Sequence, residues 1–218
     1  MEVPEIMKQL GRYAVIIFFS VLVASCAYQV PVDIKPSYSI YSSYDQRLPG
    51  TAAIFVDSEG ASDEIRVSGL TCSAHKFPVN AEFGIEAAII KTLDNLIENI
   101  QRVEKPLSQT QLSLSGAKAM IIVKVEDMDV DLKVIPGFLS ADMESEAEVV
   151  LGVIVETKNG RQLGKTVSGD GEGRAAAGGA CEGGAKAIAE ALEEAVKDVL
   201  SEMGEEISNS ERLRKAMR

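Results

Sequence analysis

Apolar residues recur along this chain in two rhythms, and the rhythms divide it into elements. "TAAIFVD" (51–57) is a short aliphatic and β-branched run stopped by "SEGAS", and "EIRVSGL" (64–70) follows; both predict strands. From 78 to 103 the spacing changes to three and four. Ile85, Ile89, Leu93, Leu96, Ile97, Ile100 and Val103 form one helical stripe, with Pro78 and Asn80 near its start. "AMIIVKVEDMDVDLKV" (119–134) alternates in two phases, odd for Ile121, Val123 and Val125, even for Met128, Val130, Leu132 and Val134. The slip at Glu126 and Asp127 predicts a bulge or bend in the run.

"PGFL" then turns the chain, and the later part of "ESEAEVVLGVIVE" (144–156) is apolar on both faces, as a central strand is. Asn159-Gly160 tolerates the positive φ angles of a tight hairpin turn, so "QLGKTVSG" (162–169) returns as the partner strand. The glycine-rich stretch 169–186 reads as a mobile connection. Beyond it Ala185, Ile188, Ala189, Leu192, Ala195, Val196, Val199, Leu200 and Met203 form a second helical stripe. Residues 205–218 are polar and read as a tail that frays or extends past the domain. The order β-β-α-β-β-β-α predicts an α+β fold: a largely antiparallel sheet of about five strands with two amphipathic helices on one face. A single domain is expected over 51–204.

Ahead of the domain, Tyr13 to Val23 is almost wholly apolar, too short for the roughly 20 residues of a bilayer crossing but suited to a signal peptide. Glu2, Pro4 and Glu5 are unusual at the head of such a signal. A start at Met7 would place Lys8 and Arg12 in front of the apolar core, as export requires. The segment ends in "VLVASC", where an aliphatic residue and two small ones precede Cys26. This resembles the bacterial lipoprotein signal, which implies cleavage before Cys26 and lipid on its sulfur; the alternative is an uncleaved anchor with an incidental cysteine. Residues 1–25 are then signal peptide. Residues 26–50, punctuated by Pro31, Pro36 and Pro49, form a lipidated extended tether whose later part could lie on the domain. Ala27 is not the Asp that favours inner-membrane retention, so the outer membrane, facing the periplasm of a Gram-negative bacterium, is the expected location. Tyr28, Tyr38, Tyr41 and Tyr44 read as packing or membrane-proximal residues before they read as a recognition strip.

Charge narrows the partners. A formal net charge of -11 repels phosphate backbones and anionic lipid, arguing against nucleic acid and leaving the lipid at Cys26 as the expected membrane contact. Once Cys26 is given to lipid, Cys72 and Cys181 remain, an even pair in an exported chain, and they read as a disulfide in loops ahead of the two helices. The glycine-rich stretch lacks the Gly-Lys-Ser/Thr ending of a phosphate loop. His75 is the only histidine and has no nucleophile elbow beside it. Glu126, Asp127, Asp129 and Asp131 crowd one strand and Glu144, Glu146 and Glu148 line another, without the spacing of an EF-hand; solvated strand faces explain them most simply. No catalytic residue, metal ligand or cofactor site is assigned.

The layout resembles the YajG-type family of small bacterial lipoproteins. The likeness rests on Cys26, the leader "VPVDIKPSYSI", the opening "TAAIFV", and "AEVVLGVIVETKNGRQLGKTVSGDGEG" before an alanine-rich helix ending "EEAVKDVLSEM". Cys72, Cys181 and the long glycine stretch depart from it. The resemblance implies an outer-membrane lipoprotein without established catalytic activity. The expected role is a non-enzymatic binding or assembly module whose partner is an envelope protein or cell-wall glycan. Its rivals are a periplasmic hydrolase of cell-wall carbohydrate and an accessory component of an envelope transport or appendage machine.

Overall fold

The computed structural model describes residues 27–37, 39–69, 71–138 and 140–218. Strand β1 (Leu48–Asp57) lies between β4 (Ile97–Arg102) and β5 (Ala119–Pro136), parallel to both. From β5 the chain makes an antiparallel meander through β6 (Ala141–Thr157) and β7 (Gly160–Ala176), giving the order β4-β1-β5-β6-β7. The two long ladders outweigh the short parallel ones, so the sheet is largely antiparallel and the fold is α+β. The register slips between Val125 and Asp127, where the hydrophobic phase changes in the sequence. The expected β6–β7 hairpin is present, but Lys158 and Asn159 form its turn and Gly160, paired with Thr157, opens β7; of Asn159 and Gly160 only Gly160 takes a positive φ, 92°.

Helices α1 (Glu82–Leu96) and α3 (Gly183–Ser208) pack side by side on one face. Their core meets the even positions of β1, including Ala52 and Ile54, and the odd positions of β6, including Val149, Leu151 and Val153. A smaller cluster on the opposite face packs Ala53 and Met120 under Leu112 of α2 (Gln109–Ser115). That helix begins in a capping box: the Ser108 N–H donates to Gln111 Oε1 at 2.9 Å, and the Gln111 N–H donates to Ser108 Oγ. It covers only the β1–β5 end, and no helix among the described residues lies on the outer face of β5–β6–β7.

Four sequence readings change. The first helix does not run from 78 to 103. Residues 76–80 form β3, paired with β2 (Ser62–Arg66), because Phe77 and Val79 alternate inward while Pro78 needs no donor. Ile97, extended at φ -119° and ψ 142°, ends the helix and opens β4, so its apolar side chain serves the sheet. The glycine-rich stretch is not a mobile connection: 169–176 completes β7. Residues 205–218 are not a tail, since α3 continues to Ser208 and α4 (Glu211–Met217) buries Leu213 and Met217 completely. Arg214, also buried, donates from Nη1 to the carbonyls of Gln46 and Arg47, and its guanidinium lies 4.0 Å from the Tyr44 ring centroid.

The tether reading changes most. The described residues between 27 and 47 form no helix or named strand, and along the length of the segment they are held to the domain. Tyr28 and Val30 donate backbone N–H to the carbonyls of Lys76 and Pro78. Ser37 donates to Thr92 Oγ1, Ser201 Oγ to the Ser39 carbonyl, and Asn209 Nδ2 to the Tyr41 carbonyl. Free, such a segment would reach roughly 70 Å at ~3.4 Å per residue. Docked, it is a strap over the helical layer and provides no reach. Tyr28 packs on Phe77 and Tyr44 lies under Arg214, whereas Tyr41 is exposed. Cys26 and Tyr38 lie outside the described residues.

Candidate binding face

The meander brings the acidic strand faces into one grid. Asp129, Glu148 and Asp170 are direct cross-strand partners on β5, β6 and β7, and Asp131, Glu146 and Glu172 form the next rung. Strand alternation turns all six outward because their neighbours Val130, Ala147 and Gly171 face α3. All six are exposed, around a shallow depression of about 330 Å³. The third rung, Lys133, Glu144 and Arg174, supplies cations on both outer strands. Lys133 bonds Glu146, and Arg174 Nη2 bonds Asp142 Oδ2 at 2.9 Å. The Glu146 hydrogen bond leads in raising the Lys133 pKa, opposed by desolvation and supported by the fields of Glu146, Asp131 and Glu144.

Like charges directly opposite on a sheet oppose folding. At ~5 Å in water each confronted pair costs on the order of 0.8 kcal/mol before salt screening. Lys133 relieves one of the six acids. Glu126 stands apart at the bulge, accepting from Thr166 Oγ1 at 3.5 Å, and Asp127 accepts from the Met128 N–H. Among the described residues no group of His, Cys, Asp and Glu is arranged to hold a metal ion. Among the described residues the six acids line a shallow, open surface without an enclosing cleft. The arrangement concentrates negative charge on one open face of the sheet.

Cys72 and Cys181 form a disulfide, with Cα atoms 6.0 Å apart. Cys181 precedes α3, but Cys72 precedes β3 instead of a helix. Both half-cystines have positive φ, 63° and 62°, the only non-glycine residues among those described to do so. His75 follows in the same loop, its ring 5.5 Å from Tyr28, with Nδ1 buried and unpartnered among the described residues.

A second device was hidden in the glycines. Gly169, Gly171 and Gly173 all face α3, and a Cβ on Gly173 would stand 1.9 Å from the Ala187 carbonyl oxygen. On Gly171 it would stand 2.1 Å from that of Ala191, and on Gly169 2.4 Å from that of Ala195. Two strand residues match one helical turn, so the glycine ladder seats the helix backbone directly on the strand. Glu190, Glu194 and Glu202 then reach over the edge and accept the backbone N–H groups of Arg174, Glu172 and Ser168. The signal for this was the period of two in "GDGEG", a strand period that does not belong to a loop.

No family model matches the chain, and no curated protein matches it. Solved structures resemble it in part. A Xanthomonas campestris protein of family DUF330 shares 11% identity at a TM-score of 0.47, over 82% of this chain and 92% of that one. A Chlamydia trachomatis hypothetical protein shares 10% at 0.38, over 72% and 97%. A Helicobacter pylori protein described as a neuraminyllactose-binding hemagglutinin homolog shares 9% at 0.46, over 84% and 96%. At this degree of likeness they assign no function.

Proposed function

We propose that this chain is a lipoprotein of the YajG-type kind, anchored through lipid on Cys26 to the outer membrane of a Gram-negative bacterium and facing the periplasm. It works as a non-enzymatic binding or assembly module, with the open acidic face of β5–β6–β7 as its contact surface. Six carboxylates confronting one another across two rungs carry this reading, because that arrangement works against folding and is offset when a cationic surface covers it. A basic segment of an envelope protein fits the face, and so does an amine-bearing cell-wall glycan. The amino-terminal "VLVASC" supports the anchor. The absence of walls around the acids favours binding over a carbohydrate hydrolase.

Crosslinking and pull-down from native envelopes test the reading. The wild-type chain should capture a partner that the Asp129→Asn, Glu148→Gln, Asp170→Asn variant loses at least ~10-fold, while that variant unfolds at higher urea, by on the order of 1 kcal/mol at low salt. Undiminished capture by the variant would remove the acidic face from the account.

A further inference from the structure

Four segments meet at one end of the molecule. The strap enters at Ala27, which bridges Lys76, and Tyr28 stacks on Phe77. The Cys72 loop is joined to the same end by the Ser68 N–H donating to the Leu132 carbonyl, and to the start of α3 by the disulfide. Gly184 at that start packs against Phe77 and Leu132. The end of β7 is tied to the start of β6 through the Ala177 N–H and the Ala141 carbonyl, next to the β5–β6 turn.

These segments are 27–32, 67–75, 134–141 and 175–181. Together they hold thirty residues without one Asp, Glu, Lys or Arg, in a chain that is 25% charged. The residues that bound them in sequence include four cations, Arg66, Lys76, Lys133 and Arg174, against three acids, although the chain as a whole carries -11. At the extremity stands Phe138, 99% exposed on the β5–β6 turn and flanked by exposed Pro136 and Gly137. Single exposed apolar side chains are ordinary on a protein surface, and Phe138 is set apart from Phe83 and Leu114 by its place at the tip of this charge-poor end.

We propose that this charge-poor pole rests on the phospholipid bilayer, with Phe138 entering the headgroup and acyl boundary beside the acyl chains on Cys26. The inference rests on the lipid-anchor reading and extends it to an orientation. Cys26 is one residue, ~3.8 Å between Cα atoms, from docked Ala27, so acyl chains there cannot be held in the membrane with this pole far from it. An acidic protein meets anionic lipid least unfavourably where its carboxylates are fewest, and the one that folds back into this end, Glu182, is engaged by the Ala180 N–H. An aromatic ring is also the side chain that partitions best at that depth.

The chain has no tryptophan, so Phe138→Trp introduces a single reporter. Leu114→Trp provides the control: Leu114 is 83% exposed on α2, beyond the opposite end of β5, whose length is roughly 55 Å at ~3.3 Å per residue. Each full-length lipoprotein is reconstituted into phosphatidylethanolamine–phosphatidylglycerol vesicles, with and without brominated acyl chains, and floated. The Trp at 138 should emit to the blue of its detergent-free, lipid-free value and be quenched at least ~2-fold by bromine, and the Trp at 114 should be unaffected. Flotation with both reporters unquenched would overturn the orientation while leaving the anchor in place. Failure of the wild-type chain to float would overturn the anchor and the orientation with it. Loss of a dimer on Phe138→Ser, with no quenching at 138, would assign the tip to a second copy of this chain and overturn the proposal.

Discussion

Gly173 can set only a hydrogen atom against α3, and the contact between helix and sheet depends on that. Gly171→Ala and Gly173→Ala should each destabilise by about 2 kcal/mol or more, because the new methyl group meets helix backbone that no rotamer can move aside. Gly179→Ala, with open space around its Cα, should change stability by less than ~0.5 kcal/mol; urea titration separates the two cases. The half-cystines make a second residue-scale case. Losing the cross-link over a separation of 109 residues should cost about 4 to 5 kcal/mol in the chain-entropy model. The Cys72→Gly, Cys181→Gly double variant should unfold about 2 kcal/mol later than the double Ala variant, since both positions sit in the left-handed region. Equal stability of the two would show that neither backbone is strained there. The pairing of these cysteines was legible from parity and export, but their φ angles were not, because residue type carries no signal for a left-handed cysteine.

Among elements, legibility followed periodicity. The bulge at 126–127 and the Asn159-Gly160 hairpin are local features whose physics is written in a few neighbouring residues, and both are present. Strand β4 was not legible: Ile97 and Ile100 extend the helical spacing of α1 without a break, and only the parallel slot beside β1 turns them into a strand. Strand β7 was hidden by composition, since glycine lacks the side chain by which strands are recognised. Its edge is protected from α3: three glutamates accept the N–H groups that would otherwise pair with another chain. The Glu190→Ala, Glu194→Ala, Glu202→Ala variant should therefore self-associate, seen as concentration-dependent sedimentation above the monomer while circular dichroism stays native. A monomeric triple variant would show that α3 covers the edge by bulk alone.

For the whole molecule, the strap changes how an anchored protein would work. A free leader of this length would let an anchored domain sample a wide volume, whereas a docked one would fix the domain at its point of attachment and would give the acidic face a constant bearing relative to the membrane. The prolines of residues 26–50 pointed to an irregular leader whose later part could lie on the domain, but neither the docking of its first part nor the individual contacts were legible, because those to Thr92, Ser201, Asn209 and Arg214 join residues 55 or more positions apart. The acidic residues were each visible, but the grid depended on register, which only the paired strands define. Everything about location turns on Cys26, and the most direct measurement is the mass of the amino-terminal peptide of the protein extracted from native membranes. The account predicts a chain that begins at Cys26 and carries diacylglycerol on its sulfur, with acyl on the amine. Recovery of an unmodified peptide running through Ser25 into Cys26 would contradict it.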